Sequence, residues 1–166
     1  MFEEWVAIDD FEEYAVSDYG NIKNLKTNKL VALSHTKQGA VKVGIVSYGK
    51  QYTRSVKVLV ANVFVEREDE TFDTPIHLDG NQNNCAASNL MWRTRGFAWQ
   101  YHHQFNKIEF YEGIGPIMDK HDNTVYQNVA EAAKANGLLM HDIYIRAHYS
   151  DRKAHVYPTW QMFEYQ

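Results

Sequence analysis

One cysteine, Cys85, stands in 166 residues. A disulfide framework is therefore excluded, and so is any zinc site built on several thiolates. Zinc would have to be held by histidines and carboxylates alone. So little cysteine fits a reducing, intracellular setting. Long apolar runs are also missing. No stretch reaches the length of a membrane span, and the opening Met1-Phe2-Glu3-Glu4 is acidic where a signal peptide is basic, so no membrane partner is expected. Positive charge is short as well. Seventeen Lys and Arg against 21 Asp and Glu leave a formal charge of −4. That balance counts against a strong, indiscriminate binder of nucleic acid, although a local basic face is compatible with an acidic total.

What is present argues for folded protein. Apolar residues make up 45% and aromatics 14% of the chain, which separates it from disordered sequences. The length suits one domain, or two or three small modules in series. Trp5–Ile8, Tyr14–Ser17 and 21–25 read as strands, with Asp18-Tyr19-Gly20-Asn21 as a tight turn between the last two. Val41–Val46 and Tyr52–Val56 alternate as paired strands around a Ser47-Tyr48-Gly49-Lys50 turn. Lys42, Lys50, Arg54 and Lys57 are expected near one another on this ribbon, as a phosphate-contacting surface or as a solvated polar face. From Val56 the period changes. Val56, Leu59, Val60 and Phe64 recur at helical spacing, and Glu66–Glu70 follows as a charged loop.

The second half has its own organisation. Phe97, Tyr101 and Phe105 form a helical apolar stripe in a segment that also carries Arg93, Arg95, His102, His103 and Lys107. Residues 109–116, with two glycines and a proline, read as a connector. Two short strands are expected around a His121–Thr124 turn. Asn128, with Glu131 three residues on, is a helix start, and Asn136-Gly137 is a helix stop. A second helix is expected over about 141–148, with Ile143, Ile145 and Trp160 closing a small core. Helix, glycine-containing turn, helix is the layout of a DNA reader whose exposed side would be His141, Tyr144, Arg146 and His148. The plainer alternative is a structural cap.

Between these halves lies Pro75-Ile76-His77-Leu78-Asp79-Gly80-Asn81-Gln82-Asn83-Asn84, closed by Ser88-Asn89-Leu90-Met91-Trp92. This stretch resembles the core of the phage and intron-type HNH homing endonucleases. Trp5, Ile8, Phe11, Tyr14, Val16, Ser17, Tyr19, Gly20 and Ile22 are similar to the nuclease-associated module that often precedes such cores. Tyr126, Val129, Glu131-Ala132-Ala133, Gly137, Ile143 and Trp160 look like the helix-turn-helix repeat found behind them. The resemblance implies an α+β chain: a β-rich module over 1–49, a ββα-metal core over 50–107 and a helix-turn-helix-like module over 108–166. It implies double-stranded DNA as partner and cleavage, if active, by hydrolysis with Mg²⁺ or Mn²⁺, as nicking by a monomer in the cytoplasm of a phage-infected cell.

By the same resemblance His77 is the general base, suited by an imidazole pKa near neutrality, and Asn89 holds the loop that orients it. The family commonly has His where this chain has Lys57. It also places a carboxylate directly before the base and an Asn or His on the following helix as metal ligands. Here those positions are Ile76 and Ala98. Neither side chain can ligate a hard cation, which wants oxygen donors. Asp79, on the same strand face as His77, and His102, one turn beyond Ala98, are the substitute ligands the spacing offers. With both usual ligands gone, the alternative is a descendant without cleavage that regulates or inhibits a protein partner. Asp79-x-Asn81-x-Asn83 is not a calcium loop, because its sixth and twelfth places are Asn84 and Leu90.

Overall fold

The computed structural model describes residues 2–148, 156–159 and 161–165. It divides into two compact units, Met1–Ala98 and Trp99–Gln166. In the first, β1 (Trp5–Ile8), β2 (Phe11–Ser17), β3 (Ile22–Asn24) and β4 (Lys29–Leu30) form an antiparallel sheet in that order. A second sheet joins β5 (Leu33–His35), β6 (Val41–Ser47) and β7 (Lys50–Ser55). Helix α1 (Val56–Phe64) follows directly. The ribbon of β8 (Thr74–His77) and β9 (Leu90–Arg93) comes next, with a 3₁₀ turn at Ala87–Asn89 before β9. Helix α2 (Arg95–Gln104) contains the division between the units.

The apolar periodicities explain this packing. In β6, Val41, Val43 and Ile45 point inward, and α1 buries Val56, Leu59, Val60 and Ala61 along one stripe. These residues share one core with Ile8, Phe11, Val16 and Ile22 of the first sheet and with Leu90 and Trp92 of the ribbon. The Tyr14 hydroxyl accepts from Val46 N–H at 3.2 Å, joining the two sheets. The Trp92 indole donates to the Val65 carbonyl at 3.0 Å, tying the end of α1 to the ribbon. The expected boundary between residues 49 and 50 differs from this division. It would cut the β6–β7 hairpin just past its two-residue turn, between strands paired from Lys42↔Ser55 to Ser47↔Lys50. The N-terminal strands and the HNH-like ribbon cannot be separated without opening their common core.

The second unit comprises α3 (Ile108–Glu112), β10 (Ile117–Asp119), β11 (Val125–Tyr126), α4 (Val129–Asn136), α5 (Met140–His148) and β12 (Phe163–Tyr165). Its sheet runs β11-β10-β12. Asn128 caps α4, its side chain accepting from Glu131 N–H at 2.8 Å. The Glu131 carboxylate reaches back to Gln127 N–H at 2.7 Å, one residue further out than the usual capping box. Gly137 ends α4 at φ +59, a conformation glycine adopts without steric cost. The connector expected over 109–116 is half helical, because Tyr111 of α3 is drawn into this unit's core with Ile117, Ala133, Leu138 and Ile143. Trp160 lies outside the described residues. Among the described residues no helix is long and apolar enough to cross a membrane.

One glycine couples the N-terminal turn to the catalytic-type loop. Gly20 has φ +87, and a Cβ there would stand 3.0 Å from the Cys85 Cβ and 3.2 Å from the Cys85 carbonyl oxygen. Gly20→Ala therefore combines backbone strain with a contact against backbone, and is expected to cost about 1–3 kcal/mol. Urea unfolding read by tryptophan fluorescence checks this; an unchanged midpoint contradicts it.

Candidate nuclease-type site and nucleic-acid interface

His77 ends β8 and is 8% exposed. After it the chain turns through Asp79-Gly80 into the Asn-rich loop and returns at Asn89, also 8% exposed. Asn89 fastens this excursion at four points. Its carbonyl accepts from Leu78 N–H at 2.8 Å, and its side-chain oxygen accepts from Asp79 N–H at 3.0 Å. Its amide donates to the Asp79 carboxylate at 2.9 Å and to the Asn84 carbonyl at 2.8 Å. The Asp79 carboxylate also accepts from Asn81 N–H and from the Asn84 amide, each at 2.8 Å. Burial works to raise the Asp79 pKa. The hydrogen bonds from Asn84, Asn89 and Asn81, with His77 nearby, outweigh it, and the carboxyl is held below its ordinary value.

Around His77 the chemistry is unusual for a nuclease. Nε2 of His77 lies 3.9 Å from the Cys85 sulfur. Burial pushes the Cys85 thiol up, against the opposing pull of the Lys57 charge and of a hydrogen bond from Lys57 N–H at the start of α1. The Lys57 ammonium donates to the Pro75 carbonyl at 2.9 Å, and burial holds its pKa below the ordinary lysine value. Ile76, between Pro75 and His77, is 3% exposed hydrocarbon. Ala98 lies on α2. These two positions supply no donor atom, and both Asp79 oxygens are engaged by amides. The residues present here do not fit a hard divalent ion. His77 and Asp79 belong to the first unit and His102, an exposed residue of α2, to the second. Among the described residues no three His, Cys, Asp or Glu side chains are grouped as a metal site requires.

The residues expected to touch DNA separate into two sets. Lys42 and Lys50 are exposed on the ribbon, Arg95 is exposed at the start of α2, and His141 and His148 are exposed on α5, where Arg146 is half-buried. The others are engaged within the chain. Arg93 is 1% exposed, donates to the Trp92 carbonyl at 2.9 Å, lies 3.7 Å from Glu68, and is flanked by the Phe72 and Phe97 rings. Arg54 points to the inner face of the hairpin, its guanidinium over Phe11 and Tyr52 at 5.1 and 5.2 Å. Lys57 belongs to α1 and is turned toward Pro75. Tyr144 packs against Phe110, Tyr111 and His148. Strand pairing explains why the basic ribbon divides. Lys42 pairs with Ser55, and residues two apart share a face, so Lys42, Val46, Gln51, Thr53 and Ser55 lie outward while Arg54 does not. Gln51 and Thr53 were not among the expected contacts. The two-residue Tyr48-Gly49 turn carries the register that places them there. Gly44 lies on this face beside Gln51, and a Cβ there would stand 3.1 Å from the Gln51 amide nitrogen.

Removing the clamp tests its role. Asn89→Ala leaves Asp79 N–H and a carboxylate short of partners, and is expected to cost about 2–3 kcal/mol near neutral pH. Asp79 has a depressed pKa, so its contribution is present above the unfolded value and lost as pH falls through the folded one. The difference between wild type and Asn89→Ala should therefore shrink on acidification through the carboxylate range. Urea titrations across that range check this, and a pH-independent difference contradicts it.

Residues 3–46 match the family model described as the NUMOD4 motif. DNA endonuclease I-HmuI of Bacillus phage SP01 is 34% identical over 93 residues, 55% of this chain and 53% of that protein. An uncharacterized HNH endonuclease of Acanthamoeba polyphaga mimivirus is 34% identical over 92 residues, 55% of this chain and 27% of that protein. The aligned region thus spans about half the length of the first relative and about a quarter of the second. The structure titled "DNA binding and cleavage by the HNH homing endonuclease I-HmuI" has the same α+β fold, with a TM-score of 0.55, 24% identity and 98% of each chain covered. In its sequence relatives and its fold, this chain is similar to the HNH homing endonucleases.

Proposed function

We propose that the chain binds double-stranded DNA and that metal-dependent nicking has been lost from its HNH frame. The observation that carries the DNA reading is the outward face of the β5–β7 sheet. It is largely polar and presents Lys42, Gln51, Thr53 and Ser55 around Val46. Two-stranded and three-stranded antiparallel surfaces fit the major groove, where amide and hydroxyl side chains meet base edges and an aliphatic side chain meets a thymine methyl. Lys42 would serve as a phosphate contact. The pair α4 and α5, read as a helix-turn-helix, would add His141, Arg146 and His148, and Arg95 a further phosphate contact.

The loss of cleavage follows from the donor set. His77 and Asn89 remain in a clamped ββ-turn, but Ile76 and Ala98 stand where the family carries metal ligands. Without a hard cation there is nothing to stabilise the leaving oxygen of a phosphodiester. The relative in a Bacillus phage supports action in the cytoplasm of an infected bacterial cell. The competing reading, a regulator acting through a protein partner, is favoured by the exposed acidic residues Asp9 and Asp10 between β1 and β2 and Glu12 and Glu13 at the start of β2.

A duplex carrying the sequence that flanks the gene separates these readings. Fluorescence anisotropy is expected to show affinity that falls steeply with salt, with a log–log slope reduced by about one in Lys42→Ala. A supercoiled plasmid bearing the same sequence is expected to stay intact with Mg²⁺ or Mn²⁺. Absence of DNA affinity even at low salt would favour the protein partner. Metal-dependent nicking that disappears in His77→Ala would show that substitute ligands act.

A further inference from the structure

The first unit holds two cations in its ribbon region, Arg93 buried and Lys57 half-buried, and they are treated differently. Arg93 has Glu68, a carbonyl and two aromatic faces around it. The Lys57 ammonium has three protons and donates to the Pro75 carbonyl at 2.9 Å. Among the described residues no carboxylate pairs with it. Its electrostatic partner is the Cys85 thiol, which burial keeps protonated more strongly than usual and which therefore does not balance the charge. A half-buried ammonium in this position keeps donors available to solvent or to an anion. Its position adds the reason. Pro75 directly precedes Ile76 and His77 on β8, and Cys85 stands 3.9 Å from His77 Nε2. The uncompensated cation thus lies in the same small region as the imidazole, where the usual metal-ligand positions hold hydrocarbon.

We propose that Lys57 is the resident cation of this site, and that its ammonium takes a phosphate of bound DNA beside His77 without any metal ion. The proposal rests on the DNA-binding reading above. It makes the HNH frame a phosphate clamp. No bond is broken, because an ammonium neutralises charge and donates hydrogen bonds without generating a hydroxide nucleophile.

The test uses the full chain and the flanking duplex in EDTA, with affinity measured across a salt series for wild type, Lys57→Met and Lys57→Arg. Lys57→Met keeps an apolar stem of similar length. It is expected to weaken binding about tenfold and to lower the log–log salt slope by about one, while Lys57→Arg recovers most of both. A purely structural role would leave the slope unchanged, or would make Arg as harmful as Met. A second measurement needs no variant. The ¹⁵N resonance of the Lys57 ammonium in wild type should shift on addition of duplex, and an unmoved resonance in a DNA-bound protein overturns the proposal. Wild type that shows no salt-sensitive binding would overturn the DNA reading itself, which is a distinct outcome from binding that is indifferent to Lys57.

Discussion

The site depends on the bonds Asn89 makes across the mouth of one loop. A short antiparallel ribbon presents His77 at its end, and the chain must then leave and return over eleven residues without disordering that end. Asn89 satisfies backbone on both sides of the excursion and also fixes the Asp79 carboxylate, which in turn gathers Asn81 and Asn84. Three short polar side chains with local hydrogen-bonding habits make such a loop self-supporting. Cys85 and Gly20 then press it against the N-terminal sheet. The β-rich module is therefore the wall on which the loop is built, which is why the two share one core.

That arrangement accounts for how the frame survives when its chemistry changes. Asp79 meets the requirements of an orienting carboxylate: several donors, a depressed pKa, and hydrogen bonds to both oxygens. Ile76 is enclosed by the ribbon, and replacing a carboxylate there with hydrocarbon removes a desolvation cost while removing a ligand. Under the proposed reading, hydrocarbon at this position and a stable turn are compatible. Lys57 stands apart as a half-buried charge that pairs with no carboxylate among the described residues.

Much of this was legible in the chain. Val41, Val43 and Ile45 alternate, Val56, Leu59 and Val60 follow at helical spacing, and the Asn128 cap and Gly137 stop appear where their chemistry requires them. The short strands β4, β5 and β12 were not legible, because two or three residues carry no period and take their structure from their neighbours. Helix α3 was hidden by the glycines and proline that follow it. Side-chain direction was the larger loss. Arg54, Arg93 and Lys57 read as surface charges, yet aromatic faces, Glu68 and the Pro75 carbonyl hold them inward. A basic residue's destination depends on strand register, and composition does not record register.

The central claim is that the HNH frame stands without a metal site, and calorimetric titration with Mn²⁺ tests it most directly. Wild type is expected to show no binding at His77, whereas Ile76→Asp combined with Ala98→Asn, placing oxygen donors at both positions, is expected to bind one ion per chain. Stoichiometric Mn²⁺ binding by wild type that disappears in His77→Ala would contradict the account.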